Sequence, residues 1–220
     1  MMYYPPTRKA NNDENRRITV YGNSRLTVRP NVAEIQLGVE VRNNEVSAAQ
    51  QENSERIQQV IQSLVRLGIP QDQIQTIDYQ IYPQYDYVDG EQQFRGYQVT
   101  HMLMVKSENI NQLGLLIDTA VQNGANRISS IRFTVKNLDA YYQQALKLAL
   151  DDASLKAQTI AKAMNVPLDP IPVEILEQTT TPPPMPFHAL AETSLVAGVT
   201  TPIEPGQIEV EAKLETKFKY

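Results

Sequence analysis

An alanine stands at every fourth position from Ala145 through Ala149, Ala153 and Ala157 to Ala161, an unbroken row that a helix brings to one side. Such a row makes a shallow ridge that lets a neighbouring helix or sheet approach closely. The spacing predicts a helix over about 139–164 with another element packed tightly against it. Off the ridge, Asp152 and Lys156 are spaced for a helix-surface ion pair worth about 0.3–0.5 kcal/mol.

The rest of the chain reads as strands and helices in turn. ITVYGNSRLTV, from Ile18, is strand-like, with Gly22-Asn23-Ser24 inside it read as a turn or bulge. After Pro30 and Asn31, a short turn, Ile35, Leu37, Val39 and Val41 alternate with polar residues in the two-residue period of a half-buried strand. Asn44 is placed to cap a helix whose apolar stripe is Val46, Ala49, Ile57, Val60, Ile61 and Leu64, with Gly68 and Pro70 ending it. Residues 74–88 and 94–106 form two β-rich runs around Asp89-Gly90, a hairpin signature. On the first run Tyr79, Ile81, Tyr85 and Tyr87 share one face and Tyr82 takes the other. A second helix follows from Asn109, with Ile110, Leu113, Leu116, Ile117 and Ala120 on one side and Gly124 closing it, and then a strand over 128–136.

Nine of the 14 prolines lie between Pro167 and Pro205, so residues 178–205 are expected to form a long surface excursion with at most a short helical turn. Beyond it, Ile208, Val210, Ala212, Leu214 and Phe218 alternate with charged residues in a strand that buries one face. The order of elements predicts an α+β fold of mixed or antiparallel sheets covered by about three helices. Residues 1–17 are expected to be a disordered tail, and 18–220 one domain.

The chain has no Cys, which excludes disulfides, thiolate nucleophiles and zinc-thiolate sites. A net charge of -5 argues against nucleic-acid binding, and the basic residues Arg8, Lys9, Arg16 and Arg17 are interrupted by Asp13 and Glu14. Of the two histidines, His101 alternates with Val99, Leu103 and Val105 as a core or hairpin-face residue, while His188 has no acidic neighbour at ligand spacing. Asp151-Asp152 are adjacent on a helix and point apart, a poor arrangement for shared acid-base work. No Gly-x-Ser-x-Gly elbow, His-Glu-x-x-His helix or phosphate-cradling glycine loop occurs. The reading is therefore of no catalytic residue, no metal and no cofactor. The 11 tyrosines are the compositional oddity: Tyr79, Tyr82, Tyr85, Tyr87 and Tyr97 gather on one hairpin, spaced to stack across its strands or to line an interface.

From Ile18 onward these pieces resemble the SIMPL-domain (DUF541) family, which includes bacterial periplasmic immunogenic and oxidative-stress-defence proteins. The resemblance rests on ITVYGNSRLTVRPNVAEIQLGVE, GIPQDQIQTIDYQIYPQYDY, GYQVTHMLMV, LKLALDDASLKAQTIAKAMNV and PIEPGQIEVEAKLETKF. It implies a non-enzymatic α/β protein, with assembly into large hollow rings reported for some members and stress protection or signalling scaffolds linked to others.

The functional expectation is a self-assembling protein, a homo-oligomer larger than a dimer, with a binding module or signalling scaffold as the alternative. Candidate interface residues are Tyr82, Tyr85 and Tyr87 on the hairpin and Phe187, Leu190, Leu195 and Val196 in the proline-rich excursion. No nucleic-acid partner and no transmembrane segment are expected. The sequence as given shows no secretory signal, which reads as cytoplasmic; a periplasmic or envelope location is the alternative if a signal has been removed.

Overall fold

The computed structural model describes residues 16–178, 186–187 and 201–220. Its elements run β1 (Arg17–Val28), β2 (Val32–Asn43), α1 (Val46–Arg66), β3 (Ile74–Val88), β4 (Glu91–Ser107), α2 (Leu113–Gln122), β5 (Arg127–Thr134), α3 (Leu138–Ala163), β6 (Glu174–Glu177), β7 (Pro186–Phe187) and β8 (Gln207–Lys219). The fold is α+β, as the periodicities predict, and the registered strand pairs are all antiparallel. The chain forms two compact units, one from the N-terminal strand with 137–178 and 209–220, the other from 29–136 with 186–187 and 201–208.

In the first unit β8 lies between β1 and β6. β1 and β8 run in opposite directions: Tyr220 N–H reaches Arg16 C=O at one end, and Arg25 meets Glu211 at 2.7 Å towards the other. Along β8, Ile208, Val210, Ala212, Leu214, Thr216 and Phe218 are all buried, so the predicted alternation holds for the whole strand. All five alanines of the α3 row are buried, and the lower half of the row packs with Ile18, Val20 and Phe218.

What approaches the alanine ridge is β1. Gly22 is a mid-strand residue, not a turn: a Cβ placed on it would overlap the carbonyl oxygen of Ala149 and lie 2.8 Å from Ala153 Cβ. Glycine is needed there for close backbone approach, which in a sequence looks the same as a glycine needed for a bend. Asn23 and Ser24 serve the same contact. Asn23 N–H donates to Asp152 Oδ2 at 2.9 Å and Ser24 Oγ donates to the Ala145 carbonyl at 2.6 Å. β1 also begins at Arg17, one residue inside the segment assigned to the tail.

The second unit has the order β2-α1-β3-β4-α2-β5, with the four strands arranged β3-β4-β2-β5. This is the split βαβ arrangement of ferredoxin-like folds, in which β4 inserts between β2 and β3. β1 and β2, joined by a short connection, do not pair with each other; β2 pairs with β4 and β5, and β1 with β8. Ile35, Leu37, Val39 and Val41 of β2 face Ile57, Val60 and Leu64 of α1 and Leu113, Leu116 and Ala120 of α2 in one buried cluster. Asn53 is fully buried within it, where its Nδ2 donates to the carbonyls of Val39 (3.0 Å) and Val99 (3.3 Å), tying α1 to both central strands.

The N-cap of α1 is Glu45, one residue after Asn44, and the nearby side-chain contact is Asn43 Oδ1 accepting the Glu45 N–H at 3.1 Å. The C-termini of α1 and α2 follow the glycine signals: Ile69 N–H reaches Leu64 C=O and Ala125 N–H reaches Ala120 C=O across Gly68 and Gly124, both at positive φ. α3 ends in the same motif with Asn165 in the left-handed position. Within the proline-rich span, Pro186 and Phe187 pair with Ile208 and Gln207, and Thr201 donates its N–H and hydroxyl to Asp118 of α2 at 3.1 and 2.6 Å.

Candidate functional site

The distinctive feature of the second unit is the hairpin of β3 and β4. Asp89 and Gly90 have φ of 54° and 85°, both left-handed, as a two-residue turn matched to the twist of the flanking strands requires. β4 pairs with β2 only from Tyr97 onward, opposite Asn43, so the distal part of the hairpin runs past the end of β2.

This distal part is held by aromatic rings. Tyr85 lies edge-on to Phe94 with centroids 5.7 Å apart, and Phe94 lies edge-on to Tyr97 at 5.2 Å. Each such pair contributes about 0.5–1.5 kcal/mol beyond its buried area. Asp86 and Arg95 add an ion pair at 2.5 Å. The rings support one another and still leave much of their surface free: Tyr82, Tyr85 and Phe94 are each about half exposed, and Tyr87 is 75% exposed. Phe94 escaped the sequence reading, although counting outward from Asp89-Gly90 sets it opposite Tyr85.

Nearer the body of the sheet, Tyr79 stands edge-on to His101 at 5.2 Å, and Thr76 Oγ1 is 2.9 Å from His101 Nε2. Partial burial pushes the His101 pKa below its usual value, favouring a neutral ring. Its partners are a hydroxyl and a ring edge, which suits the sequence reading of a hairpin-face residue. Among the described residues no group of three or more His, Asp or Glu is arranged to hold a metal. An open depression of about 460 Å³ beside the end of α1 is lined by Asp72, Lys106 and Glu108 among others. Lys106 is paired with Glu34 at 3.0 Å and Glu108 with Lys136 at 2.7 Å, so their charges are already engaged.

Of the sequence-derived interface residues, the fold brings Tyr82, Tyr85 and Tyr87 together on the hairpin, with Tyr82 on the opposite face from Tyr85 and Tyr87. Phe187 is described as a backbone partner of Gln207. Leu190, Leu195, Val196 and His188 lie outside the described residues. Asp152 does not pair with Asp151; it bonds Lys156 Nζ at 2.6 Å, and that same Nζ donates to the Tyr21 carbonyl at 2.8 Å.

An α+β protein with an alanine-seamed unit, a split βαβ unit and an aromatic hairpin is the class these features define. The chain belongs to the SIMPL family, described as a protein of unknown function (DUF541), whose pattern matches residues 18–218. It is 27% identical over 203 residues to the uncharacterized protein YggE of Escherichia coli (strain K12), covering 92% of this chain and 82% of that one. It is 28% identical over 211 residues to the 26 kDa periplasmic immunogenic protein of Brucella melitensis biotype 1, covering 92% and 84%. Neither name assigns a reaction, and the second places that relative in the periplasm. Among solved structures, an amidase of the hydantoinase/carbamoylase family from Burkholderia phymatum aligns with 58% of this chain and 33% of its own at 13% identity; its TM-score of 0.22 is too low to bear on fold or function. No helix among the described residues is long and apolar enough to cross a membrane.

Proposed function

We propose that this chain is a non-enzymatic protein of the bacterial cell envelope that works by assembling with copies of itself into homo-oligomers larger than a dimer. The observation that carries this reading is the hairpin, a pre-stiffened, half-exposed aromatic surface extending past the end of β2. Large rings already held by one another lose little freedom on docking, which is why aromatic side chains dominate contact energetics. The envelope location is supported by the periplasmic name of the Brucella relative, in preference to the cytoplasmic expectation from the sequence alone.

Light scattering after size exclusion tests assembly directly. The expected mass is a multiple of the 24.8 kDa chain greater than two, and a single 24.8 kDa species at micromolar concentration overturns the proposal. Replacing Tyr85 and Tyr87 by Ser lowers the mass if the hairpin carries a contact. The reach of the hairpin past β2 also favours a second reading, a binding module for a different protein, which gains if the chain is monomeric and its aromatic hairpin is protected only in the presence of such a partner.

A further inference from the structure

The sheet of the second unit ends in two strands that no other described strand covers, β3 on one side and β5 on the other. Each pairs with one neighbour, and most of its residues are exposed. Long free edges present unpaired N–H and C=O groups and are templates for another strand. We propose that the outer edge of β3 in one copy pairs with the outer edge of β5 in the next, continuing a single antiparallel sheet from subunit to subunit. This rests on the assembly reading and names the surfaces that would carry it.

Three properties of the two edges point to this pairing. The first is direction. β3-β4, β4-β2 and β2-β5 are all antiparallel, so β3 and β5 run opposite ways. Two copies set side by side in the same orientation therefore bring β5 against β3 in the antiparallel sense, with the alternation unbroken.

The second is charge. β3 carries Asp78 and Asp86 and no basic residue, while β5 carries Arg127 and Arg132 and no acidic one. Asp86 is engaged by Arg95 and Arg127 by Glu40, so the complementary charges the two edges bring to each other are Asp78 and Arg132.

The third is register. Asp78, Gln80 and Tyr82 share the face turned away from α1 and α2 with Arg127, Ser130 and Arg132, because their ladder partners include Gly38, Gln36 and Glu34 of β2 or the β4 residues opposite that face. Tyr79, Ile81, Ile128 and Ile131 are on the helix side, aligned with Val39, Val41, Leu37 and Ile35. Placing Asp78 opposite Arg132 of the next copy sets Tyr79 against Ile131 and Gln80 against Ser130. The irregularity in β5 that leaves Ser129 unpaired then brings Ile81 against Ile128 and Tyr82 against Arg127. On one face acid meets base, amide meets hydroxyl and arginine meets ring, and on the other Tyr79 and Ile81 meet Ile131 and Ile128. Tyr79 and Ile128, 45% and 42% exposed, gain cover. Pro83, which has no N–H to offer, falls just beyond the paired segment.

The absence of Cys from the chain makes the test clean. Within one copy β3 and β5 are separated by two strands at about 4.8 Å per step, or about 14 Å, too far for a disulfide, which requires Cα atoms within about 7 Å. Under mild oxidation the double variant Gln80→Cys/Ser130→Cys is expected to give a covalent ladder of dimers, trimers and higher species on a non-reducing gel. The two single variants, mixed, are expected to give the Gln80–Ser130 heterodimer. In parallel, Asp78→Arg and Arg132→Asp alone should each cut the light-scattering mass at least twofold, and the two together should restore it. An oligomeric wild type whose mass is untouched by both charge reversals and whose cysteine variants do not cross-link overturns the edge pairing but leaves assembly standing. A monomeric wild type overturns both.

Discussion

One outer strand of the first sheet, β1, is closed by its own helix, and the outer strands of the second, among the described residues, are left open. On β1, the N–H of Asn23 is taken by Asp152 and the C=O of Tyr21 by Lys156, both from α3, so a ladder position facing away from β8 has no free group to offer. On β3 and β5 no comparable side chain from α1 or α2 is bonded to the outer edge among the described residues. A similar device in that sheet serves β2: past the end of β5, Asn126 takes both backbone groups of Glu40, at 2.7 and 2.8 Å. An edge is thus closed where pairing would be a hazard, with i,i+4 side chains at little cost in stability. Where edges are left bare, the bareness is a property of the surface that needs a use.

The closed side breaks most severely at Gly22. Gly22→Val drives a branched side chain into the backbone of α3, lifts β1 and removes both edge bonds together; a loss of about 3 kcal/mol or more is expected by chemical denaturation. An unchanged midpoint would mean that β1 does not rest on the alanine ridge.

Ala153→Leu probes the same seam from the helix, and overpacking there should cost about 1–3 kcal/mol. Leu155→Ala, on the same helix but 63% exposed, should change stability by no more than about 0.5 kcal/mol. Equal effects from the two would refute the packing argument.

A finer probe is Asp152→Asn. Lys156 first, and the Asn23 N–H second, hold the Asp152 carboxyl below its usual range. A pKa lower in the folded than in the unfolded state means a stabilisation complete above the unfolded value and lost as pH falls through the folded one. The variant should therefore be less stable than the wild type by about 1 kcal/mol at neutral pH and should converge with it in acid. A gap that widens on acidification would have the wrong sign for this contact.

On the open side the smallest effect is expected. Tyr87→Ala at the hairpin tip should leave the denaturation midpoint within about 0.5 kcal/mol, while lowering the assembled mass if the tip touches a neighbour. A large loss of stability would show that Tyr87 packs within its own chain.

Legibility from the sequence followed period and punctuation. The row of alanines, the alternation through β8, the Asp89-Gly90 turn and the helix-ending Gly68 and Gly124 each state a local requirement, and each is met. Gly22 was misread because local pattern does not say whether a glycine bends a strand or admits a helix. The partners of β1 and β2 are not legible for a related reason: pairing partners come from far along the chain, and a short connection does not say whether the strands it joins are neighbours. At the candidate site, the tyrosines and their faces were readable by alternation. The match between the edges of β3 and β5 required the strand order, the bulge at Ser129 and the direction of each strand, none of which a single segment encodes.

The placement of β8 between β1 and β6 has a consequence for biosynthesis. The strands and helices over 29–136 come from one uninterrupted stretch and have every ladder partner they need as soon as β5 is made. The other sheet has no centre until β8 arrives, nearly two hundred residues after β1. β1 must wait through the translation of the whole intervening unit, first for α3, which takes its buried face, and then for β8, which takes its ladder bonds.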